Sequence, residues 1–211
     1  MLVGCSDGAD TRSGPEPPDT DVTAERCLVR MHGRSETGAE PVEHADHVEL
    51  APTGNDTSGE GHQWLYDTEE HRGQAMGRVE AWIDRVQCND VVLYGFSNGA
   101  AFVASLYCRG ESFDGRLRGV VIDDPVTDEA VVDCEPPEGV PAALYWTGSL
   151  TEAQPGVLCA DIGYTCAGDL ILGVDAYADE LGVDVQASPH TDHTAFQDAP
   201  ELLEWLVDPP G

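Results

Sequence analysis

Apolar positions along this 211-residue chain fall into two recurring patterns. Short β-branched or aliphatic runs predict strands at 26–32, 46–50, 91–94, 117–122, 142–146 and 183–187. Between several of them, apolar residues recur at the helical period. Ala75, Met76, Val79, Trp82, Ile83 and Val86 form one stripe and predict a surface helix over 69–86. Ala100, Ala101, Val103, Ala104, Leu106 and Tyr107 form another, in a helix ending near Arg109. Two more helices are expected over 169–181, with Gly182 as C-cap, and over 195–207, where Leu202, Leu203, Trp205 and Leu206 repeat. Polar, Gly-rich or acidic loops separate these elements at 53–63, 127–139 and 150–167, and there are no internal repeats. Alternation of this kind predicts an α/β fold: one mainly parallel, doubly wound sheet with helices on both faces. Function in such sheets collects beyond the carboxyl ends of the strands, where Gly33, Ser97, Ser149 and His193 fall.

The first 25 residues break the pattern. Residues 6–25 are acidic and rich in Pro and Gly, without an apolar period, and read as a disordered tether. Met1-Leu2-Val3-Gly4-Cys5 resembles the end of a lipoprotein signal, with Cys5 as the lipidated residue, although the charged and most of the apolar portions of such a signal are missing. The folded domain is therefore expected at 26–208, extracytoplasmic and lipid-anchored at a cell surface or in a periplasm, with Cys5 its link to a membrane.

Charge narrows the partners. Forty acidic residues stand against ten basic ones, all of them arginine, giving a net charge of -30. That balance argues against nucleic acid and against electrostatic binding to anionic lipid. It suits a heavily solvated surface, whether through adaptation to salt or through drift in composition. Beyond Cys5 there are six cysteines, Cys27, Cys88, Cys108, Cys134, Cys159 and Cys166, an even number that suggests disulfides in an exported protein. Cys159 and Cys166 are close enough to staple one loop. Cys88 precedes a strand and Cys108 ends the helix returning from it, so an 88–108 bridge is geometrically reasonable. No cysteine or histidine spacing suggests a metal.

The chemistry lies in Gly95-Phe96-Ser97-Asn98-Gly99, between the strand at 91–94 and the following helix. This is the G-x-S-x-G arrangement of a nucleophile elbow. Its glycines let a serine sit in a strained turn pressed between strand and helix. A serine hydroxyl needs a base, and the base needs an orienting group. His193 is the preferred base, in Asp192-His193-Thr194 between the last strand and the last helix, with His190 as alternate.

With these residues the chain resembles the α/β-hydrolase superfamily, specifically its small phospholipase/carboxylesterase type, over roughly 26–207. The resemblance implies an order of Ser, acid, His. The usual place for the acid, shortly after Gly148, holds Thr151 and then Glu152. Glu152 is therefore preferred, with Asp124 and Asp161 as alternatives. The strand running into His32-Gly33 is similar to the segment that supplies the second oxyanion donor, which makes the backbone N–H groups of Arg34 and Asn98 the expected hole. Trp64-Leu65-Tyr66-Asp67 stands where the family carries a Trp-Phe-Asp-like element, so Trp64 either lines the acyl pocket or anchors packing. The implied activity is that of a serine esterase, hydrolysing a small or polymeric carboxylic ester through an acyl-enzyme with no cofactor. The missing Asp leaves a second reading open, a non-catalytic cell-surface binding domain on the same scaffold.

Overall fold

The computed structural model describes residues 23–148 and 154–195. Seven strands form the central sheet: β1 (Arg26–Met31), β2 (Ala39–Glu43), β3 (Val48–Ala51), β6 (Asp90–Phe96), β7 (Leu117–Asp123), β8 (Ala142–Trp146) and β9 (Val185–Ala187). Their order is β2-β3-β1-β6-β7-β8-β9. Only β2 is antiparallel to its neighbour; every other pair is parallel. A short antiparallel hairpin, β4 (Asp56–Ser58) with β5 (Gly61–Gln63), stands apart. The edge strand β2 and this hairpin carry no apolar alternation, which is why the pattern of the sequence misses them: AEPVE is exposed at four of its five positions.

Helix α1 (Glu69–Val86) begins on Thr68, whose side chain accepts from the His71 N–H, and ends at Gln87 in the left-handed region. The second helix, α2 (Asn98–Cys108), is buried at every residue, which explains its run of small side chains. The third, α3 (Val174–Leu181), is shorter than its apolar pattern predicts and closes on Gly182 at φ 69°, the expected C-cap. Buried residues of all three helices join one core cluster with Cys27, Val29, Met31, Val91, Leu93, Val120, Ile122 and Leu144. Strand side chains alternate in direction, so Leu28, Val92, Tyr94, Phe96, Val121, Ala143 and Tyr145 form a second, smaller cluster on the opposite face, with Ala195 against it. The expected last helix lies outside the described residues from 196 onward, as do the tether, Cys5 and Ser149.

Three disulfides are present, and one corrects the expected pairing. Cys159–Cys166 is formed as anticipated. Cys88, however, bonds Cys27 and not Cys108. The register explains it: β1 runs beside β6 with Arg26 opposite Asp90, so Cys27 lies next to the residues entering β6, and the two Cα atoms are 5.9 Å apart. Cys108 instead bonds Cys134, where the chain passes back and the Glu135 N–H donates to the Cys108 carbonyl. Among the described residues no helix is long and apolar enough to cross a membrane.

Candidate active site

Strand register brings the site together. Met31 pairs with Gly95, Phe96 with Asp123, Asp123 with Tyr145, and Trp146 with Ala187. The residues that follow these five strand ends share one rim of the sheet. The chain leaves β1 toward β3 and later crosses to β6 on the other side, so the rim lies at the point where strand order reverses.

Ser97 occupies the turn between β6 and α2 at φ 54°, ψ -118°, strained backbone for a residue with a side chain. The flanking glycines are sterically required. A Cβ on Gly95 would lie 2.4 Å from the Gly99 carbonyl oxygen, and one on Gly99 would lie 2.3 Å from the Met31 carbonyl oxygen. The Ser97 N–H donates to the Asp123 carbonyl (2.9 Å), which leaves the hydroxyl facing the rim. Ser97 itself is only 5 % exposed.

His193 reaches it from the far end of the chain. The Ser97 hydroxyl meets His193 Nε2 at 2.9 Å, and His193 Nδ1 meets Asp124 Oδ2 at 2.5 Å. The carboxylate can only accept, so Nδ1 carries the proton and Nε2 is free to accept from serine. Phe96 packs against the imidazole with ring centroids 4.7 Å apart. His190, the alternate, is exposed, and its backbone N–H donates to the Ser188 hydroxyl (3.2 Å).

The carboxylate on His193 is thus Asp124, an alternative in the sequence, and it stands where Glu152 is the preferred partner. Glu152 lies outside the described residues, and Asp161 is an exposed residue of the loop closed by Cys159–Cys166. Asp124 follows β7, one strand earlier than the family pattern implies. It is fully buried and sits at φ 48°, a turn that swings its side chain toward the end of β8. There Thr147 braces it twice: the backbone N–H donates to Oδ1 (3.1 Å) and the hydroxyl to Oδ2 (2.8 Å). Thr147 carried no signal in the sequence, because nothing in the pattern relates the ends of β7 and β8.

The expected oxyanion donors lie on neighbouring turns. Asn98 is the first residue of α2, where N–H groups lack helical partners and the dipole favours negative charge. Arg34 follows His32-Gly33 at the end of β1. Neither amide has a hydrogen-bond partner among the described residues. The Asn98 side chain has a further task, accepting from the Trp64 N–H (2.7 Å) and donating to the Trp64 carbonyl (3.1 Å). Trp64, expected either to line the acyl pocket or to anchor packing, is 0 % exposed and stacks on Phe102 at 5.0 Å, as a packing anchor does. His32 is a structural residue: Nδ1–H donates to the Gly33 carbonyl (2.7 Å), Nε2 accepts from the Gly54 N–H (3.0 Å), and burial lowers its pKa.

The acidic loop 127–139 holds a buried carboxyl that the sequence does not reveal. Asp128 accepts from the Tyr66 hydroxyl (2.9 Å) and the N–H groups of Ala130 (3.1 Å) and Ala167 (3.0 Å). Burial pushes its pKa up to about 7 against these three bonds. It ties the loop entering α1 to the residue just past the Cys159–Cys166 bridge.

No protein-family model matches the chain, and no curated protein is similar enough to match it. Solved structures do match. A Bacillus cereus carboxylesterase has a TM-score of 0.55 at 15% identity, over 92% of this chain and 91% of its own. YahD, solved with malic acid, has a TM-score of 0.55 at 13% identity, over 90% and 94%. A variant of Arabidopsis thaliana SOBER1 has a TM-score of 0.51 at 16% identity, over 86% and 98%. With a mainly parallel seven-stranded sheet and a serine elbow at its switch point, the chain has the α/β-hydrolase fold.

Proposed function

We propose that this protein is a serine hydrolase cleaving carboxylic esters through an acyl-enzyme. The observation that carries the reading is the unbroken hydrogen-bonded line Ser97–His193–Asp124, whose members lie 96 and 69 residues apart in sequence. Ser97 Oγ attacks the ester carbonyl as its proton passes to His193 Nε2. The oxyanion that forms is stabilised by the N–H groups of Arg34 and Asn98. The C–O bond to the alcohol then breaks, and the alcohol leaves with the proton from His193. Water repeats the sequence on the acyl-enzyme, freeing the carboxylic acid and restoring the Ser97 hydroxyl. Asp124 holds the imidazole in the tautomer that can accept and stabilises its cation.

The carboxylate on His193 supports this reading over a non-catalytic binding domain, whose motive was a missing acid. The esterase named among the structural neighbours supports the ester class by analogy of fold. Three disulfides support a location outside the cytoplasm, and a lipid on Cys5 would hold the protein at a membrane. The test is labelling by a fluorophosphonate probe together with p-nitrophenyl acetate hydrolysis. Wild type is expected to do both and Ser97→Ala neither. Folded wild type that does neither would sink the proposal.

A further inference from the structure

The turn expected to hold one oxyanion donor is fixed by its own side chain. Within residues 33–36, the Gly33 N–H is taken by Glu36 Oε2 (2.8 Å) and the Ser35 N–H by the His62 carbonyl (2.8 Å). The Arg34 amide between them is without a partner among the described residues. The Arg34 guanidinium reaches in two directions. Nε donates to Ser58 Oγ in the β4–β5 hairpin (3.0 Å), and Nη1 donates to the Gly163 carbonyl (2.7 Å). Its Cζ lies over the Tyr164 ring, 5.2 Å from the centroid. Ser58 Oγ also meets Ser35 Oγ at 3.2 Å, so the hairpin grips the turn through the side chains of both Arg34 and Ser35.

Gly163 is itself a fixed point. It ends a 3-10 turn in the left-handed region, at φ 74°, inside the loop closed by Cys159–Cys166. The chain just past the bridge is pinned in turn, where Glu129 Oε2 accepts from the N–H groups of Asp169 (2.7 Å) and Leu170 (3.0 Å) and where Asp128 accepts from Ala167. A guanidinium fork can hold two acceptors at a set angle, which a lysine ammonium on a flexible stem cannot do as rigidly.

We infer that Arg34 is a positioning residue: its guanidinium, strung between the hairpin and the disulfide loop, holds the turn so that its own backbone N–H stays aimed at the oxyanion. The inference rests on the ester-hydrolase reading. The Cys159–Cys166 bridge then acts on catalysis at a distance, by keeping the Gly163 carbonyl where Arg34 needs it.

The test uses the full chain. Arg34→Met keeps the stem and the backbone amide and removes both donated bonds. Loss of a donor costs a serine hydrolase about 100- to 1000-fold in kcat, and a loosened donor less. Arg34→Met is therefore expected to lower kcat for p-nitrophenyl acetate about 10-fold, leave KM within about 2-fold, and weaken a trifluoromethyl ketone transition-state analogue by the same factor as kcat. Arg34→Lys should fall between. Cys159→Ser with Cys166→Ser should reproduce the kcat loss, and combining it with Arg34→Met should add little, as coupled groups do. Circular dichroism checks that each variant is folded. Wild-type kcat and analogue affinity in folded Arg34→Met, a loss confined to KM, or losses that multiply in the combined variant would each overturn the inference alone. A wild type that hydrolyses no ester overturns the ester reading and this inference with it.

Discussion

Replacing Asp124 with asparagine separates the carboxylate seen beside His193 from the one the sequence favours. Asp124 is fully buried, with Oδ1 accepting from the Thr147 N–H and Oδ2 from both the Thr147 hydroxyl and His193 Nδ1. An asparagine keeps its carbonyl oxygen toward the Thr147 N–H, because an NH2 there would set donor against donor. The NH2 then falls at the Oδ2 position, where it can donate to the Thr147 hydroxyl and to a bare His193 Nδ1. Every bond has a partner, so the fold survives, but His193 is held with its proton on Nε2 and cannot accept from Ser97. The same substitution in a serine protease triad, with geometry retained, lowers kcat about 10,000-fold. At about 1.4 kcal/mol per decade that is about 5.5 kcal/mol of lost transition-state stabilisation. Asp124→Asn is therefore expected to melt within a few degrees of wild type and to lose about four decades of kcat on p-nitrophenyl acetate. Glu152→Gln should stay within about 2-fold. Asp124→Asn retaining a tenth or more of wild-type kcat, or Glu152→Gln collapsing in its place, would refute the assignment.

Two further outcomes concern stability. The Asp128 carboxyl has a folded pKa of about 7 against an ordinary value of 3.8. The folded state thus holds a proton that the unfolded state releases, and stability falls as pH rises from about 4 to about 7, levelling above. Integrated over that interval the loss is on the order of 4 kcal/mol, so Asp128→Asn should cost more at pH 5 than at pH 8 in urea unfolding; an equal cost at both would contradict it. The net charge of -30 sets like charges against one another across the surface. Salt screens that repulsion, so the melting temperature should climb between about 0.05 and 1 M NaCl, and a flat curve would point to compositional drift in place of salt adaptation.

What was legible in the sequence was local. The elbow can be read because strand, glycines, serine and helix are contiguous, and α1 can be read to its ends because a full apolar stripe lies between Thr68 and Gln87. His193 can be read because it stands in the gap after the last strand, next to an aspartate. Illegible features all depend on which strand ends become neighbours. Cys88 meets Cys27 through the β1–β6 register. The Trp64 backbone is held against the elbow by a side chain, Asn98, that lies 34 residues on. The hairpin and β2 lack alternation because neither covers the core.

The place of the acid follows from the same neighbourhood. β7 and β8 run parallel with Asp123 opposite Tyr145, so the next residues of both strands stand side by side on the rim. A carboxylate after either strand starts within reach of an imidazole arriving from beyond β9. What decides between them is support, since a buried carboxylate must have its oxygens satisfied. From β7, Asp124 finds the N–H and hydroxyl of Thr147 at the end of β8. The strand that the family pattern assigns to the acid supplies its brace here, and a short polar residue at its end serves that role better than a second carboxylate, which would repel the first. Sequence pattern locates the acid by counting from a glycine; the fold locates it by where two donors converge.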